Sequence, residues 1–293
     1  MSSTNNPLPS SLGEIIALLP SIAHQHARST ATYQTLDHVV RSLVVNSPLS
    51  SELDTVEMPF GSYGSLAFPF VEMGAISTLD LFGLDELIIF AFYWVNRARY
   101  RMAADIGANL GLHSILMGKC GWHVAAYEPD PNHAIRLLKN VQLNNIKTIS
   151  LVEAAVSDKP GILEFVRVLG NTTSSHLLGA KNNAYGDLEK FPVQVESIAE
   201  IMSSVDFVKM DAEGQEKTII LGTLKEHWQG TDMMVEVGSE DNAISIFNHI
   251  KKLGLHAYAQ KLGWSEVKFI DDMPIHYKQG SLFITQKLTM PWS

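Results

Sequence analysis

The chain has 293 residues, 46% of them hydrophobic and 18% charged, enough for one large α/β domain plus an extension or for two small domains. A net charge of −9, without any run of Lys and Arg, excludes the electrostatic footprint of a nucleic-acid binder. The single cysteine, Cys120, excludes an intrachain disulfide and fits a reducing, cytoplasmic setting.

Residues 1–12 read as a loose polar terminus, and residues 1–9 lack the positive n-region of a signal peptide. A helix is predicted over 11–23, broken by Pro20, and a second over 32–45. The stretch 59–70, rich in Gly, Ser and aromatics, reads as loop or short strands. Residues 1–75 therefore form an N-terminal extension, and 76–293 the main domain. The helix predicted over 84–97 holds the longest apolar stretch, 84–95. That stretch carries Asp85 and Glu86 and is too short to span a bilayer.

From there strands and helices alternate. Strands are predicted over 101–106, 122–127, 148–153, 205–210 and 233–237, with 162–168 as an addition at a sheet edge. Helices are predicted over 109–119, 131–140, 214–221 and 241–253. Gly121 and Gly254 read as stops, and Asp130-Pro131 as a helix start. Residues 169–190 read as a long polar loop, and the tail adds strands at 256–260 and 281–285. The alternation implies a mostly parallel sheet with helices on both faces, and such sheets bind ligands at their carboxyl ends. Asp105, Glu128, Glu153, Asp211 and Glu236 all end apolar strands there.

The segment Ala104-Asp105-Ile106-Gly107-Ala108-Asn109-Leu110-Gly111 joins a strand to a helix. Its glycines let the backbone turn tightly and approach a ligand. It is not the dinucleotide fingerprint, which needs glycine where Asn109 and Leu112 stand. A pyrophosphate disfavours a nearby acid, whereas the ammonium and sulfonium of S-adenosylmethionine (SAM) favour one. Glu128, in Tyr127-Glu128-Pro129, can take both hydroxyls of a ribose, a feature shared by SAM and NAD sites.

These residues carry a family resemblance. Asp105-x-Gly107-x-Asn109-x-Gly111 resembles methyltransferase motif I, and Tyr127-Glu128-Pro129 the acidic motif that follows it. Val208-Lys209-Met210-Asp211-Ala212-Glu213-Gly214-Gln215-Glu216 is similar to the K-x-D-x-E-G-x-E signature of the FkbM family. The similarity covers roughly 80–260. It implies a Rossmann-like class I methyltransferase fold: a mostly parallel seven-stranded sheet, an antiparallel C-terminal strand and, here, the helical extension. It implies SAM as cofactor, S-adenosylhomocysteine as product, and methylation of a hydroxyl on a small molecule or saccharide.

Carried over by position, Asp105, Gly107, Asn109 and Gly111 would line the methionine end of SAM. Glu128 would hold the ribose, and Ala154, Ala155 and Val156 would flank the adenine, with Asp158 nearby. Glu86 and Asp211 would reach the same pocket. An alcohol needs help to lose its proton, from a base or a metal. Asp211, Glu213 and His176 are the candidates for catalysis, with His113 another histidine near the cofactor. Glu213 also reads simply as a favourable carboxylate at a helix start. No ligand spacing demands a metal; if one binds, Asp211 and Glu236 would hold it. Trp264 is the aromatic placed to act as a substrate platform. An NAD-linked oxidoreductase and a catalytically inactive SAM-fold binding module stand as alternatives. A homodimer is compatible with the sequence.

Overall fold

The computed structural model of the chain describes residues 9–50, 56–171, 175–179 and 187–292. The described chain opens with α1 (Leu12–Leu18), capped by the Ser11 side chain. At Leu19 it tightens into a 3-10 turn carrying Pro20, since proline has no N–H for the next helical bond. Next comes α2 (Ala31–Val45), capped by Thr30. Two three-residue strands, β1 (Glu57–Pro59) and β2 (Ser65–Ala67), pair antiparallel. Then α3 (Leu84–Val95) is apolar nearly all round and accordingly buried.

The chain continues through β3 (Met102–Ile106), α4 (Leu112–Lys119), β4 (His123–Tyr127), α5 (Pro131–Leu143) and β5 (Ile149–Val152). An interlude follows: β6 (Ala154–Ser157), β7 (Gly161–Val168), β8 (His176–Leu177) and β9 (Leu188–Ser197). Alternation resumes with α6 (Ile198–Met202), β10 (Phe207–Met210), α7 (Glu216–Leu221), β11 (Asp232–Glu236) and α8 (Glu240–Leu253). The described chain closes with β12 (His256–Ala259), β13 (Ser265–Glu266) and β14 (Ser281–Thr285).

The main sheet runs β13-β12-β14-β11-β10-β3-β4-β5. The five strands from β11 to β5 are mutually parallel, and β14 inserts antiparallel between β11 and β12. This is the expected Rossmann-like α/β arrangement, with two-residue β13 added to the seven expected strands. Helix caps fall where the residues predict them. Asp130 accepts the Asn132 N–H ahead of Pro131, and left-handed Gly254 closes α8.

The interlude departs from the sequence reading. Strand β7 does not extend an edge of the main sheet. It pairs along its whole length with β9 in a separate four-stranded sheet ordered β6-β9-β7-β8. Pro192 hides β9 from a sequence pattern. It is tolerated because β6 pairs only with Gln194 to Ser197, so Pro192 has no second neighbour to which an N–H would donate. The loop expected over 169–190 thus contains β8 and the start of β9, while 172–174 and 180–186 lie outside the described residues. Helix α7 starts at Glu216, two residues later than predicted.

Strand alternation divides the core in two. Ala103, Phe207, Met234 and Phe283 face α3, α4 and the extension, whose Leu12, Ile15, Val40 and Val44 join the same apolar cluster. Ala104, Val208, Met233 and Ile284 face α6, α7 and α8. No helix among the described residues is long and apolar enough to cross a membrane.

Candidate functional site at the strand ends

The parallel register of β3 and β10 sets Ile106 beside Met210, so the turns that leave these strands touch. Gly107 has φ +75°, and a β-carbon there would lie 1.8 Å from the Asp211 carbonyl oxygen. Only glycine permits that contact. Asn109 and Glu213 also adopt left-handed backbone, at φ 50° and 49°. Asn tolerates this conformation; for Glu213 it is strain of the kind that gathers at functional sites. The strain is held by Glu216. Its Oε1 accepts the N–H groups of Ala212 (3.1 Å) and Gly214 (3.0 Å), and its Oε2 accepts Asn242 Nδ2 (3.0 Å).

Glu128 ties two loops together. Its Oε2 accepts the Asn109 N–H at 2.8 Å and its Oε1 the Asp130 N–H at 2.9 Å. Burial pushes its pKa up to about 7; the Asp130 and Asp105 charges add to the rise, and the two backbone bonds restrain it. Each oxygen keeps a second lone pair, so the carboxyl can still accept from two hydroxyls.

Gly107, Asn109 and Glu128 line a cleft together with Ala154, Ala155, Val156, Asp211 and Glu213. The small sheet thus lines it through β6 and also through Phe165, Ser175, His176 and Leu177. A second cavity lies between α2, α3 and the ends of β10 and β11. A third opens beside α7, and Asp211 lines all three. Glu86 and Glu236 line the second and third.

Other residues singled out by sequence land elsewhere. Asp105 is fully buried beneath the turn, where Ser114 donates to its Oδ2 at 2.6 Å and its Oδ1 has no hydrogen-bond partner. Gly111 packs against Leu137. Glu153 is exposed between β5 and β6, and Asp158 sits against Gly222. Glu213 lies in the turn before α7, not in its first helical turn. His176 is buried within β8 rather than carried on an open loop. His113 bridges the Tyr93 hydroxyl (2.9 Å) and Glu86 Oε2 (3.0 Å). Trp264 is not a substrate platform. It is buried, donates to His26 Nδ1 at 2.9 Å and packs on Trp292.

Sequence reasoning missed Lys209. It is 8% exposed, on the face of β10 turned to α3, and lines the second cavity. Its Nζ lies 3.9 Å from Asp211 Oδ2. Burial alone would lower its pKa, but the carboxylates of Asp211, Asp105, Glu86 and Glu236 outweigh burial and raise it. Burial opposes ionisation of Glu86 too, yet the His113 bond and Lys209 hold its pKa below the usual range. Glu236 goes the other way. Burial and the Asp211 and Glu86 charges push it well above a normal carboxyl. The available signal was a lysine inside an otherwise apolar strand, Phe207-Val208-Lys209-Met210. Among the described residues no group of three or more His, Cys, Asp or Glu is placed to hold a metal ion.

The model of the methyltransferase FkbM domain family matches residues 105–258, more than half of the chain. No curated protein matches. Similar solved structures include a precorrin-6y C5,15-methyltransferase from Geobacter metallireducens, at 13% identity over 65% of this chain and 82% of that one, TM-score 0.37. A SAM-dependent methyltransferase from Agrobacterium tumefaciens shares 8% identity over 81% and 72%, TM-score 0.44. A ribosomal protein L11 methylase from Lactobacillus delbrueckii subsp. bulgaricus shares 13% over 66% and 75%, TM-score 0.35.

The contact at Gly107 is directly testable. Gly107→Ala should lower unfolding stability by at least about 2 kcal/mol in urea titration, from strain plus overlap with the Asp211 carbonyl. Gly121→Ala has the same left-handed backbone but open space around it, and should cost only about 1 kcal/mol. Equal losses would mean that the inter-turn contact contributes nothing.

Proposed function

The chain belongs to the FkbM methyltransferase domain family, and from that footing we propose that it transfers a methyl group from SAM to a hydroxyl of a small molecule or saccharide. The observation that carries the reading is the cleft joining the Gly107 turn, Glu128 and Asp211. The fit to SAM rests on the residues present. Asp105 Oδ1 and Asn109 Oδ1 are buried acceptors without partners, suited to a cationic or hydroxyl-bearing ligand. Glu128 would take the ribose hydroxyls, and Ala154, Ala155 and Val156 would flank the adenine, with Gly107 and Asn109 shaping the methionine end. Glu86 would meet the same ligand from the side of the second cavity.

Bound SAM supplies an activated methyl group on its sulfonium. The protein then has to align an acceptor oxygen and receive its proton. Asp211 stands where the cleft and the second cavity meet, so we assign it the proton. In this reading the Lys209 ammonium holds the acceptor oxygen beside it, a role its charge favours and its small exposure protects. Glu213 lines the cleft and the third cavity, and acts here on acceptor placement. His176, among the residues walling the cleft, is the secondary candidate for the base. The lysine already supplies positive charge between Asp211 and Glu236, so a metal there is not favoured. We propose that the extension, residues 1–75, caps the acceptor cavity, because Arg28, Tyr33 and Val40 line it. The acceptor is then a small molecule. A cytoplasmic setting and a homodimer remain part of the proposal.

Isothermal titration with SAM, S-adenosylhomocysteine and NAD tests the cofactor. SAM and S-adenosylhomocysteine should bind, NAD should not, and Asp105→Ala should weaken the first two by about tenfold or more. Absence of SAM and S-adenosylhomocysteine binding would sink the reading in favour of a ligand-free binding module; NAD binding would favour the oxidoreductase.

The pH dependence follows from Glu128. Its ionised form accepts ribose hydroxyls better, and its pKa is raised to about 7. Affinity for S-adenosylhomocysteine should therefore rise with pH through that value, by up to about tenfold between pH 6 and 8, and the step should vanish in Glu128→Gln. In an assay of S-adenosylhomocysteine release across a panel of hydroxyl acceptors, Asp211→Asn should lower kcat by about 10²–10⁴. Cofactor affinity should stay within about threefold. An unchanged kcat would move the base to His176.

A further inference from the structure

A buried cation on the small sheet is bonded to the segment that follows Glu128. Arg167 lies two residues after Phe165 on β7, so both point to the same face, and Phe165 lines the cleft. The Arg167 guanidinium donates to both Asp130 carboxylate oxygens, Nε to Oδ2 at 2.7 Å and Nη2 to Oδ1 at 2.6 Å. Nη1 donates to Glu189 Oε2 at 2.5 Å, and the group lies 4.7 Å above the Phe191 ring. A bidentate pair fixes angle as well as distance.

Asp130 is in turn the residue whose N–H holds Glu128 Oε1, while its own Oδ1 caps α5. Glu128 is thus gripped from two sides. One grip, the Asn109 N–H, belongs to the glycine loop. The other, the Asp130 N–H, is tied through Arg167 to β7 of the small sheet, which also lines the cleft. A buried ion pair is poor value as a stabiliser, since apolar replacements often do as well. Its place beside Glu128 gives it another use.

Resting on the SAM reading above, we propose that Arg167 is a positioning residue for the cofactor: through Asp130 it sets the Glu128 carboxyl against the ribose hydroxyls and holds the small sheet over the adenosine end. Arg167 acts on geometry at the ribose, so its removal costs ribose discrimination and not merely affinity. Arg167 itself touches no cofactor atom in this scheme.

The test pairs each variant with two ligands, S-adenosylhomocysteine and its 2′-deoxyribose analogue, by isothermal titration, with circular dichroism and urea melts as the folding check. Wild-type protein should prefer the ribose form by about tenfold or more. In Arg167→Met that preference should fall below about threefold. Arg167→Lys keeps the charge but loses the fork, and should fall between. Glu189→Gln removes only the outer, half-exposed arm and should keep the wild-type preference. A folded Arg167→Met with full preference overturns the proposal. So does an equal loss of affinity for both ligands, which marks a purely structural role. If Arg167→Met does not fold, Arg167→Lys decides, and an unchanged preference there overturns it. Wild-type protein that binds neither ligand refutes the SAM reading itself, and the proposal with it.

Discussion

No side chain fits at position 107, because the Asp211 carbonyl oxygen occupies the space a β-carbon would need. That contact sets how closely the turns after β3 and β10 approach, and the site is built on the approach. It puts the Asn109 N–H within reach of Glu128 on one side and brings Asp211 and Glu213 to the same cleft on the other. The 211–214 turn, with Glu213 left-handed, is held by a buried carboxylate, Glu216, that accepts two of its N–H groups, while the Asn109 turn is held by Glu128. A relaxed turn would need different hydrogen bonds at each of these points.

Charge is arranged around one lysine. Strand alternation aims Asp105, Lys209 and the residues two positions beyond their neighbours at the same face, the one covered by α3 with Glu86. Four acids and one base in a partly buried space cannot all ionise freely. The structure resolves this by separating them. Glu86 is held charged by His113, itself bonded to Tyr93, whereas Glu236 is pushed toward its neutral form. Carboxyl groups with opposite shifts around a buried ammonium form a site able both to accept and to hold a proton.

The cleft and the second cavity have different origins in the chain. The cleft is lined by residues within 105–258, the span of the family domain. The second cavity takes Arg28, Tyr33, Val40, Tyr277 and Lys278 from outside that span. Under the proposed function, the family span holds the cofactor, and the walls drawn from outside it are assigned the choice of acceptor.

The amino-acid sequence by itself determined the features that depend on neighbours along the chain. Period-two apolar runs set the strands, Asp130-Pro131 and Gly254 set helix ends, and Gly107 and Glu128 fell at strand ends because each directly follows such a run. Tertiary structure decided whatever depends on a distant partner. Strand β9 carries charges and Pro192, and is a strand because β7 pairs along it and β6 with its end. Arg167 goes unremarked in the sequence, and gains its partner only when Asp130, 37 positions away, is folded against it. Lys209 reads as a flaw in an apolar strand until Asp105, Glu86, Asp211 and Glu236 surround it. Trp264 looked available for substrate until His26 and Trp292 closed over it. The physical reason is common to all four. Local pattern encodes backbone geometry, whereas burial, ion pairing and pKa are set by groups that only the folded chain brings together.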